Sequence, residues 1–457
     1  MRNGDIHVFD KLLVANRGEI ARRVLRTANR LGIPTVAVYS EVDAQARHVG
    51  DADESVLIGP AAPGESYLSP KRLLDAAIRT GADAVHPGYG FLAENPDFAK
   101  QVEASGLTWV GPSAETIALA GDKIGARDLA EKTGVPVLRA SHGPLDDETE
   151  ALAIAGDIGY PVMLKAAAGG GGIGMRLARD PEDLRSAFAS AQSQAERFFA
   201  NGRVLVEQCL PDARHVEIQV LTTADGQVVT LGERECSVQR RYQKVVEETP
   251  SPAVTADLRD RMSAAARAFV SQIGATNAGT FECLVSGDGF WFLEYNARIQ
   301  VEHPITELVT GLDLVEEQLR SAAGEGAGFV PDSVRLHGHA FEFRIYAEDP
   351  VRFLPSPGEI ATWFEPEAEW IRIDAGYGAG DTVSPHYDPL LAKLCVWGND
   401  RNEALRRARE AVRIFEIDGI KTNLPFHARL LENEQFSNGE YNTRFVDTLV
   451  RAQGPDT

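Results

Sequence analysis

The sequence predicts a mixed fold class, with an α/β region at the N-terminus and α+β regions after it. Near the start, a strand, a helix and a second strand follow one another within about 30 residues, which is typical of a βαβ unit. The middle contains alternating β-rich runs around a short glycine turn. A glycine-rich linker at residues 321–333 then precedes several short strands and one helix. A chain of 457 residues is long enough for about three domains with their own cores.

Composition narrows the classes of partner and location. The formal net charge of -21 argues against nucleic acid and anionic membranes as partners. A site for an anionic ligand must therefore gather its own lysines, arginines and metal ions. The four cysteines are scattered without metal-ligand spacing, and no run approaches the roughly 18 apolar residues of a membrane span. We expect a reducing cytoplasm.

The N-terminal region reads as a parallel α/β unit that extends to about residue 120. Residues 11–16 form a buried strand, and the turn at Gly18 starts a helix that Gly32 ends. Residues 35–40 and 82–86 are further strands. The second of these runs into a glycine-rich turn at residues 87–91, which is equally compatible with a ligand contact and with plain turn chemistry.

A glycine loop follows a strand at residues 160–175, YPVMLKAAAGGGGIGM. Residues 169–174 match G-x-G-x-x-G, but the next residues look extended, whereas a dinucleotide fingerprint opens a helix. No Gly-Lys-Ser/Thr ends the loop, so it is not a Walker A motif either. We interpret the segment as a hairpin lid whose backbone N–H groups approach phosphate, with Lys165 beside it. A mobile surface hairpin is the alternative.

One polar feature, at Asp122 and Lys123, precedes this lid, and another, at residues 215–221, follows it. Asp122 is placed to cap a helix in which Lys123 is, taken alone, more typical of a solvated lysine. Residues 215–221 alternate, so that Val216, Ile218 and Val220 face the core. Their opposite face, which carries His215, Glu217 and Gln219, is either solvent or a site.

A basic run then stands out in an acidic protein, at residues 233–252. It contains Arg234, Arg240, Arg241 and Lys244. A solvated face and an anion site are equally compatible with it. An amphipathic helix at residues 255–273 leads into the β-rich middle.

The stretch from Phe281 to His303 carries the sharpest chemical signal. With a three-residue loop centred on Asp288, Glu282 falls opposite Glu294, and Asn296 shares their face. Two opposed carboxylates repel, whereas two carboxylates and an amide oxygen suit Mg²⁺ or Mn²⁺. A solvated sheet face with unrelated acids is the alternative. Residues of types common in reaction sites come directly after Asn296 in the sequence, namely Arg298, Gln300, Glu302 and His303.

Beyond the linker, residues 338–346 form an alternating strand that carries Glu342 and Arg344. A proline-rich turn follows at residues 354–358, and a helix at residues 402–415 completes a smaller α+β region.

Several long motifs in order then make the chain resemble the biotin carboxylases of the ATP-grasp superfamily over nearly its whole length. They are VANRGEIA, HPGYGFLAEN, GDK, the Lys165 strand with its glycines, RHVEIQV, ECSVQRRYQKVVEE, FLEYNARIQVEHPITE, EFRIYAEDP, FLPSPGEI and IDGIKTN. The resemblance implies a Rossmann-like pre-ATP-grasp domain (1–120), an ATP-grasp domain with a glycine lid (121–320) and a biotin carboxylase C-terminal domain (334–445).

The resemblance also implies site residues and ligands. Contacts with ATP are implied for Lys123, Lys165, Gly171, Gly172, Glu207, Leu210, His215, Gln239, Tyr242, Glu282 and Glu294. Mg²⁺ or Mn²⁺ is held by Glu282, Glu294 and Asn296, and bicarbonate by Lys244, Arg298 and Val301. Glu302 deprotonates bicarbonate, and Arg344 stabilises the biotin enolate. The implied partners are a biotin carrier protein, a carboxyltransferase and a second copy of the chain.

The activity implied is the ATP-dependent carboxylation of carrier-bound biotin, of the acetyl-CoA or acyl-CoA carboxylase type used in fatty acid biosynthesis. Three positions depart from the commonest family pattern, namely Ile173, Tyr242 and Thr249. The Gly-Gly-Ile-Gly form at Ile173 and the Glu-Thr-Pro run at Thr249 look more like the carboxylase region of urea carboxylases. The final acceptor therefore stays open. An ATP-grasp ligase that joins a carboxylate to an amine is the competing enzyme class, and a regulatory protein that only binds nucleotide is a further alternative.

Overall fold

The N-terminal region is a five-stranded parallel sheet with the strand order β3-β2-β1-β4-β5 and helices packed on it. The structure, a computed structural model, describes residues 9–167, 175–199 and 201–451. The elements of this region are β1 (Leu12–Val14), α1 (Gly18–Arg30), β2 (Thr35–Ser40), α2 (Arg47–Asp51), β3 (Glu54–Gly59), α3 (Pro70–Thr80), β4 (Ala84–His86), α4 (Pro96–Ala104) and β5 (Thr108–Trp109).

The predicted βαβ unit is confirmed. Strands β1 and β2 are parallel, with Leu12 opposite Thr35, and α1 lies between them in the chain. Helix α1 buries Ile20, Val24 and other residues at helical spacing. It ends just before Gly32, whose φ of 73° lies in the left-handed region that favours glycine.

A small antiparallel sheet, in the order β7-β6-β8, follows with its helices. Its elements are α5 (Ala114–Gly121), α6 (Lys123–Lys132), α7 (Glu148–Ile158), β6 (Val162–Ala166), β7 (Arg176–Ala178), α8 (Pro181–Phe199) and β8 (Val204–Gln208). Asp122 caps α6 as predicted, by accepting from the backbone N–H groups of Ile124 and Gly125. Strand β7 pairs antiparallel with β6. A strand therefore follows the glycines where a dinucleotide fingerprint needs a helix, and rejecting that motif was right.

The strands of the rest of the chain form two small sheets, β15-β18 and β16-β20, and one eight-stranded sheet in the order β13-β12-β9-β10-β11-β14-β19-β17. The elements here are β9 (Arg214–Thr222), β10 (Val228–Arg240), β11 (Gln243–Thr249), α9 (Ala256–Ile273), β12 (Asn277–Ser286), β13 (Gly289–Asn296), α10 (His303–Thr310), α11 (Leu314–Ala322), β14 (His339–Tyr346), β15 (Gly358–Glu359), β16 (Thr362–Phe364), β17 (Ile371–Ala375), β18 (Thr382–Val383), β19 (Leu390–Gly398), α12 (Arg401–Ile414), β20 (Glu416–Asp418), α13 (Leu424–Leu431), α14 (Glu434–Asn438) and α15 (Phe445–Arg451). Because β11 pairs with β14, this sheet continues across the predicted linker.

Both faces of β9 are buried. Val216, Ile218 and Val220 enter the core cluster that also contains residues of α9, as the alternation predicts. The opposite face, with His215, Glu217 and Gln219, is buried as well. Because these side chains are buried, this face does not contact solvent, which excludes one of the two alternatives. A buried row of polar side chains needs hydrogen-bonding or charged partners. These partners come from the neighbouring strands and form the site described below.

The described part of the chain contains no helix with both the length and the apolar character needed to cross a bilayer. All four cysteines are free thiols, and three of them are buried.

Candidate active site

The hairpin of β12 and β13 places two acids directly opposite each other, Glu282 and Glu294. The predicted register is confirmed, but the predicted three-residue loop is wrong. Ser286 pairs with Gly289, so the turn has two residues, and Gly287 takes a φ of 56°. A β-bulge at Leu293 adds the missing residue on the second strand. The shorter turn and the bulge offset each other, which restores the pairing.

Glu282 is the most heavily hydrogen-bonded acid of the site. Its Oε1 accepts from Asn296 Nδ2 and Gln300 Nε2, each at 2.8 Å, and from Lys244 Nζ at 3.0 Å. His215 Nε2 lies 2.7 Å from its Oε2. Burial alone raises the pKa of Glu282, but Lys244 and His215 hold it below its ordinary value. Glu282 is therefore a stable carboxylate.

Glu294 has the opposite environment. Burial raises its pKa, and the negative charge of Glu282 raises it further. Among the described residues, no side chain donates a hydrogen bond to its carboxylate. Glu282, Glu294 and the amide oxygen of Asn296 offer hard oxygen ligands at one place, and a divalent cation removes the repulsion between the two acids. The residues present therefore fit Mg²⁺ or Mn²⁺.

Lys244 lies at the centre of the buried acids. Its Nζ donates to Glu217 at 2.5 Å, to Glu302 at 2.7 Å and to Glu282 at 3.0 Å. Burial alone lowers the pKa of Lys244, but the surrounding acids, together with Cys236, raise it well above its ordinary value. Lys244 is therefore held as a cation.

Glu302 lies at the residue before α10, between two cations. Its Oε1 accepts from Lys244, and its Oε2 accepts from Arg344 Nη2 at 3.0 Å. The same Nη2 lies 2.5 Å from Glu247 on β11. Burial alone raises the pKa of Glu302, whereas Lys244 and Arg344 hold it well below its ordinary value. The structure thus brings Glu302, predicted to remove the proton, together with Lys244, predicted to bind bicarbonate, and Arg344, predicted to stabilise the enolate.

Arg298 connects the hairpin with the N-terminal region. Its Nε lies 3.1 Å from Glu94 Oε2. Its Nη1 donates to Gln300 Oε1 at 3.0 Å, and its Nη2 donates to Asn296 Oδ1 at 3.2 Å. Sequence reasoning missed Glu94, although the glycine-rich turn at residues 87–91 pointed towards this part of the chain.

The basic run does not converge on one anion. Arg234 is fully buried and donates to Glu217 at 2.6 Å, so it supports Lys244 from behind. Arg240 pairs with Glu348, and Arg241 lies in the turn between β10 and β11. Of the four basic residues in the run, Lys244 lies in the acid cluster. We missed the supporting role of Arg234 because the pattern shows its charge and not its burial.

Several residues expected around the nucleotide lie near one another, because Lys123 interacts electrostatically with Glu294, Lys165 and Glu207. Lys165 forms an ion pair with Glu207, and both are half-buried. Burial lowers the pKa of Lys123, although Glu294 opposes this. Gln239 Nε2 lies 2.6 Å from His215 Nδ1, and Leu210 follows β8. The predicted lid residues Gly171 and Gly172, with Ile173, lie outside the described residues.

Tyr242, Val301 and His303 lie at the edges of the site. Tyr242 is 45% exposed, with its hydroxyl 3.9 Å from Met163 Sδ. The carbonyl of Val301 accepts from Lys393 Nζ at 2.9 Å. His303 is buried, and its Nδ1 lies 2.8 Å from the carbonyl of Gln300, so it fixes the chain before α10.

Three family models match the chain in succession. They are the biotin carboxylase N-terminal domain (8–117), the ATP-binding domain of the carbamoyl-phosphate synthase L chain (122–327) and the biotin carboxylase C-terminal domain (342–448). The biotin carboxylase of Halalkalibacterium halodurans is 49% identical over 98% of this chain and 99% of its own length. The chain belongs to the biotin carboxylase family.

Other relatives are of similar identity. A pyruvate carboxylase polypeptide of Methanothermobacter thermautotrophicus is 48% identical over 97% of this chain and 91% of its own length. A structure of the biotin carboxylase domain dimer of Hydrogenobacter thermophilus 2-oxoglutarate carboxylase, with MgADP, ADP and bicarbonate, is 43% identical. It has a TM-score of 0.93 and covers 96% of this chain and 97% of that one. The predicted ATP-grasp fold and family are confirmed.

Two of the three departures from the commonest biotin carboxylase pattern can be located. Thr249 is buried, and its hydroxyl donates to the carbonyl of Glu233 at 2.6 Å. Its polar atom is therefore satisfied without a ligand. Tyr242 takes a φ of 69° in a turn that follows Arg241, which has a φ of 50°. Neither side chain joins the cluster of Lys244 and Glu302.

Proposed function

We propose that this chain carboxylates the biotin of a carrier protein, using ATP and bicarbonate, through carboxyphosphate. The observation that carries the proposal is Glu302 held between Lys244 and Arg344, beside the paired acids Glu282 and Glu294. An enzyme that only joined a carboxylate to an amine would need the paired acids, but it would not need this second set of charges.

Glu302 acts as the proton acceptor for bicarbonate. Bicarbonate is a poor nucleophile, so a base removes its proton as its oxygen attacks the γ-phosphorus and the bond to ADP breaks. The lowered pKa of Glu302 keeps it ionised and able to accept that proton. We assign the anion to Lys244, Arg298 and the backbone at Val301, because the two side chains carry positive charge and a backbone N–H can donate to an anion's oxygen.

The nucleotide lies along the side of the cluster formed by the half-buried lysines. We assign its contacts to Lys123, Lys165, Glu207, Leu210, His215, Gln239, Tyr242, Gly171 and Gly172. The metal ion, Mg²⁺ or Mn²⁺, is assigned to Glu282, Glu294 and Asn296, and when bound it neutralises charge on the phosphate oxygens. The lid excludes water from the intermediate.

Arg344 serves the second step. The ureido nitrogen of biotin is a weak acid, and its enolate needs a fixed cation. Arg344 is buried. Burial alone lowers its pKa, but Glu247 and Glu302 outweigh this effect and raise the pKa of Arg344 well above its ordinary value. It therefore presents a permanent charge to the visiting ring.

The test is ADP formation measured with and without bicarbonate and with and without biotin. We expect ADP formation to depend on bicarbonate and to rise with biotin, and Glu302→Gln to abolish it. Glu103→Gln, on the exposed face of α4, is the matched control. ADP formation that ignores bicarbonate but requires an amine acceptor would support the ligase alternative instead.

We extend the proposal to organisation and partners. The domains divide as 1–120, 121–320 and 334–445, and two copies form a homodimer in the cytoplasm. The only methionines are Met1, Met163, Met175 and Met262, and none adjoins a lysine, so this chain offers no Met-Lys-Met biotin acceptor. A separate carrier protein brings the biotin, and a carboxyltransferase selects the acceptor.

For the acceptor we propose a CoA thioester such as acetyl-CoA, with urea as the alternative. Support for urea comes from the Gly-Gly-Ile-Gly and Glu-Thr-Pro runs at Ile173 and Thr249. The purified complex, assayed with acetyl-CoA and then with urea, distinguishes the two. Streptavidin binding by this chain itself would contradict a separate carrier.

A further inference from the structure

The geometry points to Glu247 as a positioning residue that sets the basicity of Glu302 by competing with it for Arg344. This inference deepens the proposed function and rests on it, because it concerns the proton acceptor assigned there. In the mechanism set out above, Glu247 only helps to keep Arg344 charged, yet it lies in the same buried cluster as Glu302.

One guanidinium nitrogen is shared by two carboxylates. Arg344 Nη2 lies 2.5 Å from Glu247 Oε1 and 3.0 Å from Glu302 Oε2. Glu247 comes from β11 and Glu302 from the residue before α10, and their exposed fractions are 1% and 0%. Water therefore cannot replace the guanidinium as the partner of either acid. When Arg344 pairs more closely with one of the two carboxylates, its interaction with the other becomes weaker.

Arg344 is the main group through which Glu247 can act on the site, because it is the close partner of the Glu247 carboxylate. Neither of its oxygens has a well-directed hydrogen bond within the described residues, and its ion pair with Arg344 is the close contact that the structure gives it. Glu302, in contrast, also accepts from Lys244. The two acids thus differ in how strongly they depend on Arg344.

The charge on Glu247 changes near neutral pH. Burial raises its pKa to about 7, with Arg344 opposing the rise and Glu302 adding to it. The groups that face it from β10, β11, β14 and the start of α10 are Cys236, Lys244, Glu342, Arg344, Tyr346 and Glu302. Burial raises the pKa of Cys236 and of Tyr346 further above pH 7, so these two stay neutral there, and burial also raises the pKa of Glu342 well above its ordinary value.

The direction of the effect follows from these charges. Below its pKa, Glu247 is neutral, the charge of Arg344 acts fully on Glu302, and Glu302 is the weaker base. Above it, ionised Glu247 draws Arg344 and raises the basicity of Glu302. A charge at such a distance changes a neighbour's pKa by about one unit, and proton transfer follows a fraction of that change. We therefore expect roughly a three- to tenfold gain in bicarbonate-dependent ATP cleavage as Glu247 ionises.

The experiment compares Glu247→Gln and Glu247→Asp with the wild-type chain between about pH 6 and pH 9, at one fixed bicarbonate concentration. Dividing each variant's rate by the wild-type rate cancels the ionisation of bicarbonate itself. For Glu247→Gln we expect the ratio to fall as pH rises through about 7, with KM for ATP unchanged. Glu247→Asp, which keeps the charge, should retain most of the wild-type rise.

A second comparison, in an Arg344→Gln background, separates positioning from a general loss of structure. There, Glu247→Gln should change the pH profile much less than it does with Arg344 present, because the residue through which it mainly acts is gone. Thermal unfolding of each variant reports folding. A Glu247→Gln profile parallel to wild type, or an equal effect with Arg344 removed, overturns the inference and leaves the proposed function standing. Absence of bicarbonate-dependent ADP formation in the wild-type chain overturns both.

Discussion

Glu282 and Glu294 face each other across β12 and β13, yet their carboxyl groups have opposite pKa shifts. Neighbouring cations and His215 outweigh burial and lower the pKa of Glu282, whereas burial and Glu282 itself raise that of Glu294. One acid is compensated by the protein and the other is not. A bound metal ion would therefore stabilise the ionised carboxylate of Glu294 more than that of Glu282.

Replacement of Glu294 by Gln should therefore uncouple metal use from folding. Because the folded-state pKa of Glu294 is raised, its ionised form costs stability above its ordinary pKa, so Glu294→Gln should unfold at the same or a higher temperature. The Mg²⁺ concentration for half-maximal ADP formation should rise by about tenfold or more, since a ligand is lost. Thermal unfolding with and without Mg²⁺ is the second readout. Wild-type turnover at limiting Mg²⁺ would show that Glu294 is not a ligand.

Glu94 should control how Arg298 meets bicarbonate. It contributes the only carboxylate within ion-pair distance of Arg298 in the described part of the chain. Because the pair is partly exposed, we expect Glu94→Gln to raise KM for bicarbonate modestly, about three- to tenfold, with a smaller change in kcat. Glu94→Asp should recover part of the loss.

Glu103 is an exposed carboxylate on the neighbouring helix α4, so Glu103→Gln is the control for Glu94→Gln and should behave like wild type. If Glu94→Gln raises KM for ATP as much as KM for bicarbonate, its role is general and not specific to Arg298.

Tyr242 should tolerate replacement by the residue more common in the family. Its side chain is 45% exposed, and its backbone is in the left-handed region, where histidine is better accepted than most residues. Tyr242→His should leave thermal unfolding unchanged or slightly improved and alter KM for ATP by less than about threefold, because the contact of the Tyr242 hydroxyl with Met163 is weak and histidine can also donate a hydrogen bond to a phosphate oxygen. A large gain in turnover would instead identify Tyr242 as a damaging substitution.

The hairpin shows how far the sequence determines the site. The alternation of residues and the glycines at the turn were enough to place Glu282 opposite Glu294. They could not reveal that a two-residue turn and a bulge at Leu293 produce that register together. Both routes give the same side-chain pairing, so the pattern cannot distinguish them.

The supporting charges were harder to predict. Arg234, Glu247 and Glu94 reach the cluster from β10, β11 and the N-terminal region. Their contacts join residues far apart in the chain, and no spacing in the sequence encodes such contacts. The linker predicted at residues 321–333 shows the same limit, because glycine content indicates a loop but cannot say that the strands on either side of it share one sheet.

Glu302 and Arg344 should separate the two steps of the reaction. Glu302→Gln removes the proton acceptor, so bicarbonate-dependent ADP formation and carboxybiotin should disappear together. Arg344→Ala should reduce carboxybiotin more than phosphate release, because the enolate is needed only after carboxyphosphate has formed. Both products are measured side by side, first with free biotin and then with a biotinylated carrier.

Folding must be controlled in this comparison, since Arg344→Ala leaves Glu247 and Glu302 buried without their shared cation. Breaking a buried ion pair in this way costs about 3–5 kcal/mol. Arg344→Gln, which keeps hydrogen-bond donors for both acids, therefore accompanies it, and Arg406→Ala, at an exposed position on α12, is the surface control. If a folded Arg344 variant loses phosphate release and carboxybiotin to the same extent, Arg344 acts before carboxyphosphate forms, and the assignment of the two residues to successive steps is wrong.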